Sequence, residues 1–315
     1  MKIYKKLRNL RFFENNMNDI IIKFLGTGNA VPTELRNHTS ILLSWGSENI
    51  LFDCGEGTQR QFKIARISPH KLNRIFITHW HGDHILGLPG LLQTLAMTEY
   101  KKTLHIYGPR GTRNHMSEIS NLIKEVKIPL EIHEIESGKI IETKDFIIEG
   151  LPVNHGTPSL AYSFAIKKQR RLDKKKIKKF KLPNSPILGK LQSGQDITFN
   201  GKKISSKQVS YIEEGRKVSI ILDTAPCENA VKIAGNSNLA IIESSFSNED
   251  VARARERMHL TAGDAANIAK KAKAKKLILT HISERYEHNL KIMEKEARKT
   301  FKNTSTAKDF DVVKV

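Results

Sequence analysis

The chain has 315 residues, 39% of them hydrophobic and 27% charged. That balance builds a sizeable core and excludes a disordered polyelectrolyte. Two cysteines, Cys54 and Cys227, imply neither a disulfide framework nor a cysteine-based metal site. No apolar run reaches 18 residues and no signal-peptide pattern opens the chain, so a cytoplasmic protein without a membrane partner is expected. The formal charge of +20 favours a polyanionic partner, nucleic acid foremost.

Residues 1–18 are basic and aromatic, with Lys5, Lys6, Arg8, Arg11, Phe12 and Phe13, and read as an extension ahead of one domain spanning 19–315. Residues 20–25 form an apolar strand broken by Gly26-Thr27-Gly28, which lacks the third glycine and following helix of a dinucleotide fingerprint. A polar loop through Pro32 and His38 follows, and 41–43 and 50–53 read as two strands of a meander. Asp53 ends the second. It is either an ordinary turn residue or a carboxylate that fixes a liganding histidine. A helix is expected to begin near Thr58.

The apolar run 74–78 then leads into His79-Trp80-His81-Gly82-Asp83-His84. In extended backbone His79 and His81 project to one side, and Gly82 lets the chain turn so that Asp83 and His84 face the same space. Residues 84–97 suit a packed helix, 104–109 a strand and turn, 112–125 a helix, and 128–135 and 146–153 strands. The alternation predicts an α/β domain with helix-covered sheets. Four apolar strands each end on a metal-competent side chain: 147–153 before His155, 218–222 before Asp223, 239–242 before Glu243 and 277–280 before His281. Strand ends are where α/β folds place their chemistry.

Together these positions offer His79, His81, Asp83, His84, His155, Asp223 and His281. Imidazole nitrogen with carboxylate oxygen suits zinc, and the set is too large for one ion. Two ions sharing a carboxylate fit it, an arrangement suited to displacement at phosphorus. His259 stands just before Thr261 and Asp264, which read as a helix start. As a general acid it needs a carboxylate partner, for which Glu243 is the candidate. His38, His70, His105, His115, His133 and His288 show no partner pattern and read as surface or satisfied core residues.

These residues resemble the tRNase Z (ribonuclease Z) family of the metallo-β-lactamase superfamily. The His79-x-His81-x-Asp83-His84 cluster carries the superfamily. The branch is carried by residues 52–61, with Asp53, Gly55, Glu56, Gly57 and Gln61, and by His281 with Arg285 and Tyr286. The resemblance implies an α/β fold of the metallo-β-lactamase type, an αββα four-layer sandwich with an inserted basic flexible arm at about 167–200. It implies two zinc ions, one on His79, His81 and His155, the other on Asp83, His84 and His281, bridged by Asp223. Asp83 then orients or deprotonates the attacking water, and His259 helps the leaving oxygen depart. The substrate implied is precursor tRNA, cut after the discriminator nucleotide, and the enzyme is a homodimer.

Residues 167–181 carry ten Lys and Arg against Asp173 alone. Composition by itself gives a solvated loop. In the family context Arg170, Arg171, Lys174, Lys175, Lys176, Lys178 and Lys179 become an exosite for tRNA. Arg36 and Asn37 match a family loop linked to rejecting tRNAs that already end in CCA, but Glu34 stands where many relatives carry lysine; altered CCA discrimination is expected. Two other readings keep the fold: a two-zinc hydrolase of small phosphodiesters or esters, and a noncatalytic RNA-binding protein.

Overall fold

The structure is a computed structural model and describes residues 19–124 and 127–315; the expected extension 1–18 lies outside the described residues. The first half runs β1 (Ile21–Gly26), β2 (Ser40–Trp45), β3 (Glu48–Phe52), α1 (Thr58–Ile64), β4 (Arg74–Phe76), α2 (Gly82–Ile85), α3 (Leu88–Met97), β5 (Leu104–Gly108), α4 (Thr112–Leu122) and β6 (Leu130–Glu134). After β7 (Gly138–Glu142), β8 (Phe146–Pro152) and β9 (Leu160–Ile166), an insertion runs through β10 (Gln169–Leu172), α5 (Lys174–Lys179), α6 (Pro186–Gln192), β11 (Ile197–Phe199), β12 (Lys202–Ile204), α7 (Ser206–Val209) and β13 (Ser210–Glu213). The chain closes with β14 (Arg216–Ile221), α8 (Glu228–Ala234), β15 (Leu239–Glu243), α9 (Val251–Glu256), α10 (Ala262–Lys271), β16 (Leu277–Thr280), α11 (Leu290–Arg298), β17 (Thr304–Thr306) and β18 (Val312–Lys314).

Two seven-stranded sheets result, ordered β18-β1-β2-β3-β4-β5-β6 and β17-β16-β15-β14-β9-β8-β7. Side chains alternate across a strand, so a strand apolar on both faces serves two seams at once. In β15, Leu239 and Ile241 enter the seam between the sheets, while Ala240 and Ile242 meet the helices outside. In β3, Ile50 and Phe52 face the other sheet and Leu51 faces α1 and α3. Three apolar seams therefore separate four layers, helix, sheet, sheet, helix. The buried face of the outer helix α10 is mostly alanine, at 262, 265, 266 and 269, with Ile268 beside them. Its start is the one read from sequence: Thr261 Oγ1 accepts from the Asp264 amide, and the Asp264 carboxylate accepts from the Thr261 amide.

The insertion differs from the solvated loop that its charge suggests. β10 pairs antiparallel with β13, closing the segment at Glu213 rather than near residue 200. Leu182, Leu191, Ile197, Ile204 and Val209 form a small core of its own. Asp173, the lone acid of the basic run, caps α5 by accepting from the amides of Lys175 and Lys176.

Candidate active site

The catalytic candidates gather at one rim of the sandwich because the strands that carry them end there. Asp53 follows β3, the histidine motif follows β4, His155 lies between β8 and β9, Asp223 follows β14, Glu243 ends β15 and His281 follows β16. Gly82 makes its turn by starting α2 rather than by a left-handed φ, and this brings Asp83 and His84 back beneath His79. Asp53, Asp223 and His281 have φ of 55°, 24° and 56°. Non-glycine residues seldom adopt such values, and they cluster where packing over-determines a functional geometry. Gly55 permits close passage of the motif: a Cβ there would stand 2.4 Å from the Asp83 carbonyl oxygen.

Two donor groups form. One comprises His79, His81, His155 and Asp223; the other comprises Asp83, His84, His281 and Asp223. In the first, His81 Nδ1 lies 3.0 Å from His79 Nε2 and 3.2 Å from His155 Nε2. Asp223 Oδ2 is 3.6 Å from His79 Nε2 and 3.5 Å from His155 Nε2. In the second, His84 Nε2 and His281 Nε2 are 3.1 Å apart, and each stands 3.3 Å from Asp83 Oδ2. Atoms ~2.0–2.1 Å from a tetrahedral ion stand ~3.3 Å apart, so both groups have the edge lengths of metal ligands. Asp223 Oδ1 is buried and accepts no hydrogen bond, although His281 Nε2 is 3.1 Å away. A shared carboxylate with an unspent buried oxygen fits a bridge between two ions.

The outward nitrogens of four of these imidazoles, His79, His84, His155 and His281, are held, which leaves the inward ones as acceptors. His84 Nδ1 donates to Asp53 Oδ2 at 2.6 Å; Asp53, fully buried, also accepts from the amide and hydroxyl of Thr78. Of its two sequence readings, Asp53 takes the orienting one. His79 Nδ1 meets Thr78 Oγ1, His155 Nδ1 donates to the Met258 carbonyl, and His281 Nδ1 donates to Ser245 Oγ. Thr78 and Ser245 escaped the sequence reading. Thr78 was detectable as the residue between strand and motif, whereas Ser245 acts through a hydroxyl that no spacing marks.

Charge follows the same plan. Burial works against the Asp83 carboxylate, yet hydrogen bonds from His281 and His84 hold it well below the usual range. Burial, then the charges of His84, His155 and His81, lower His79 and outweigh Asp223, favouring the neutral ligand form. Glu243 Oε1 lies 2.9 Å from His259 Nδ1, and Glu243 Oε2 accepts from Ser245. Burial disfavours the His259 imidazolium, but Glu243, and then Asp223, raise it to about 9.

The basic candidates divide. Lys174, Lys175, Lys176, Lys178 and Lys179 are exposed and have no carboxylate partner among the described residues. Arg171 is half-buried and paired with Glu213 at 2.8 Å, and Arg170 donates to Ser210, so both brace the β10–β13 ladder instead of reaching outward. Arg36 corrects its expected RNA contact: it is 3% exposed and donates to Thr27 Oγ1 and the Ala307 carbonyl. Asn37 is half-buried; its side chain donates to the Glu56 carbonyl and its amide to Asp309. The pair shapes its loop from inside, with Glu34 exposed at the tip.

A family model described as anti-Pycsar protein Apyc1 matches residues 20–175. Ribonuclease Z of Methanothermobacter thermautotrophicus is 40% identical over 296 residues, covering 93% of this chain and 96% of the relative. Human tRNase Z, short form, superposes with a TM-score of 0.68 at 26% identity, over 93% of this chain and 98% of its own. YhfI from Bacillus subtilis, a metallo-β-lactamase fold protein, gives 0.69 at 18% identity over 95% and 100%; that likeness speaks to the fold alone. The four layers are those of the metallo-β-lactamase fold, and with two-fifths of its residues matched along nearly the whole of both chains, this chain belongs to the ribonuclease Z family.

Proposed function

We propose that this chain is a metal-dependent endoribonuclease that removes the 3′ trailer from precursor tRNA. It cuts after the discriminator nucleotide, leaving a 3′-hydroxyl on the tRNA and a 5′-phosphate on the trailer. The observation that carries the reading is the pair of donor groups sharing Asp223, in a chain 40% identical to a ribonuclease Z along its length. Five imidazoles and two carboxylates suit zinc: His79, His81 and His155 would hold one ion, Asp83, His84 and His281 a second, and Asp223 belongs to both donor groups. Two such ions supply a nucleophile at neutral pH and offset the charge that builds on the phosphate.

The chain's own residues do the rest. Asp83, ionised at neutral pH and reached by solvent, accepts a hydrogen bond from the attacking water and orients it on phosphorus. His259, kept protonated by Glu243, donates its proton to the departing 3′ oxygen. The lysines of α5 hold tRNA phosphates away from the cut. By family likeness the enzyme works as a cytoplasmic homodimer. No helix among the described residues is long and apolar enough to cross a membrane.

The test is cleavage of an end-labelled precursor tRNA carrying a 3′ trailer, by zinc-loaded protein beside Asp83→Ala, at low and high salt. One cut after the discriminator is expected, lost in the variant and weakened by salt. No cut by zinc-loaded protein that still hydrolyses a small phosphodiester would refute the tRNA assignment and leave the metal centre standing.

A further inference from the structure

His105 and His133 lack partners in the sequence, and the sheet supplies them. β5 and β6 run parallel, with His105 opposite Glu131 and Tyr107 opposite His133. Alternate side chains share a face, so His105, Glu131 and His133 meet on one side of the two strands. Glu131 Oε2 lies 3.2 Å from His105 Nδ1 and 3.7 Å from His133 Nε2, and the two nitrogens are 3.3 Å apart. These edges match those of the catalytic donor groups, and the three atoms form a compact cluster of their own. The Tyr107 ring stacks on His133 at 4.5 Å with 14° between planes, and His105 lies nearly parallel to His133 at 25°. Stacking thus holds the imidazole planes before any ligand arrives.

The cluster is separate from the catalytic rim. His105 pairs with Arg74 at the start of β4, whereas His79 lies beyond the other end of that strand. Five residues of extended chain span ~16 Å. Of the two arginines near the cluster, Arg74 and Arg113, Arg74 is engaged by Glu48. Burial and then His105 lower the His133 imidazolium, with Arg113 adding to the effect and Glu131 opposing it, so its neutral form prevails near pH 7.

We propose that His105, Glu131 and His133 form a second, surface-facing site for a divalent transition metal. Two nitrogens and one carboxylate oxygen select zinc, nickel or copper over calcium or magnesium, which take oxygen ligands. The side chains are 28%, 57% and 35% exposed, so a fourth position faces solvent and accepts water or a donor from another molecule. The rival account is a histidine–glutamate hydrogen-bond network that binds nothing.

Zinc chloride titrated calorimetrically into full-length protein already carrying its catalytic complement separates the two. The expected result is one further binding event per chain, weakened at least tenfold in Glu131→Gln and again in His133→Phe, which keeps an aromatic ring against Tyr107. Cleavage activity stays at the wild-type level in both variants, because neither residue belongs to the catalytic rim. No further event in the wild-type protein, or an event of undiminished affinity in either variant, would overturn the proposal. The readout is independent of which substrate the catalytic centre takes.

Discussion

Asp53→Asn preserves shape and removes one acceptor, and the structure fixes which one matters. Asp53 Oδ1 accepts from the Thr78 amide at 2.7 Å, while Oδ2 accepts from the Thr78 hydroxyl at 2.7 Å and from His84 Nδ1 at 2.6 Å. The backbone amide can only donate, so the asparagine carbonyl takes the Oδ1 place and its NH2 faces His84 Nδ1. Two donors then oppose each other. His84 relieves this by moving its proton to Nε2, the nitrogen 3.1 Å from His281 Nε2 and 3.4 Å from Asp223 Oδ2. A metal ligand nitrogen must carry no proton. Affinity at the Asp83–His84–His281 group should fall ~10–100-fold, the usual scale for removing an orienting partner, or ~1.4–2.7 kcal/mol. The fold should lose roughly 1–3 kcal/mol for the same mismatch. Competition with a chromophoric zinc chelator should resolve one weakened ion, while the ion of the His79–His81–His155 group leaves as in wild type. Two ions retained at wild-type affinity would refute the reasoning and return Asp53 to the status of a turn residue.

Four further outcomes follow from the structure. His259→Ala should lower kcat ~10²–10⁴-fold. In Glu243→Gln, which removes the main cause of the value of about 9, the alkaline fall in kcat should move to lower pH; an unmoved limb would show that His259 is not the acid. Replacing Lys174, Lys175, Lys176, Lys178 and Lys179 by Ala should leave the melting temperature unchanged and flatten the salt dependence of tRNA binding by about one unit of slope for each phosphate no longer neutralised, read from filter binding across salt. Asp309 tests the loop that Arg36 holds. Burial pushes its carboxyl up to about 6, against hydrogen bonds from Asn37 and Thr27 and the charge of Arg36. The folded value exceeds the ordinary one, so this group's contribution to stability is complete below ~4 and lost as pH rises through ~6, ~3 kcal/mol in all. Denaturant unfolding in chelator between pH 4.5 and 7.5 should show that decline, and Asp309→Ala should abolish it while lowering stability by roughly 2–4 kcal/mol through stranded donors.

The parts of this fold that were legible in the sequence share a physical cause, namely that they repeat or terminate something. The apolar runs before His79, Asp223, Glu243 and His281 read as strands because burial on both faces favours apolar side chains at almost every position. Their ends then marked the rim. The core of the insertion was illegible for the converse reason: Leu182, Leu191, Ile197, Ile204 and Val209 come singly in a polar segment, and it takes the folded insertion, with β10 paired on β13 and Ile197 opposite Ile204 in β11 and β12, to assemble them. Arg36 misled because likeness to a family loop says nothing of burial, and its surroundings, Thr27 and Ala307, lie 9 and 271 residues away. Separation along the chain likewise hid Glu131 from His105, joined to it only by the register of β5 on β6. Local chemistry is therefore visible where the ligands follow one another, as from 79 to 84. It is visible too where a ligand ends an apolar strand, but not where it lies within one, as His105, Glu131 and His133 do, which is why the second histidine cluster had to be found in the fold.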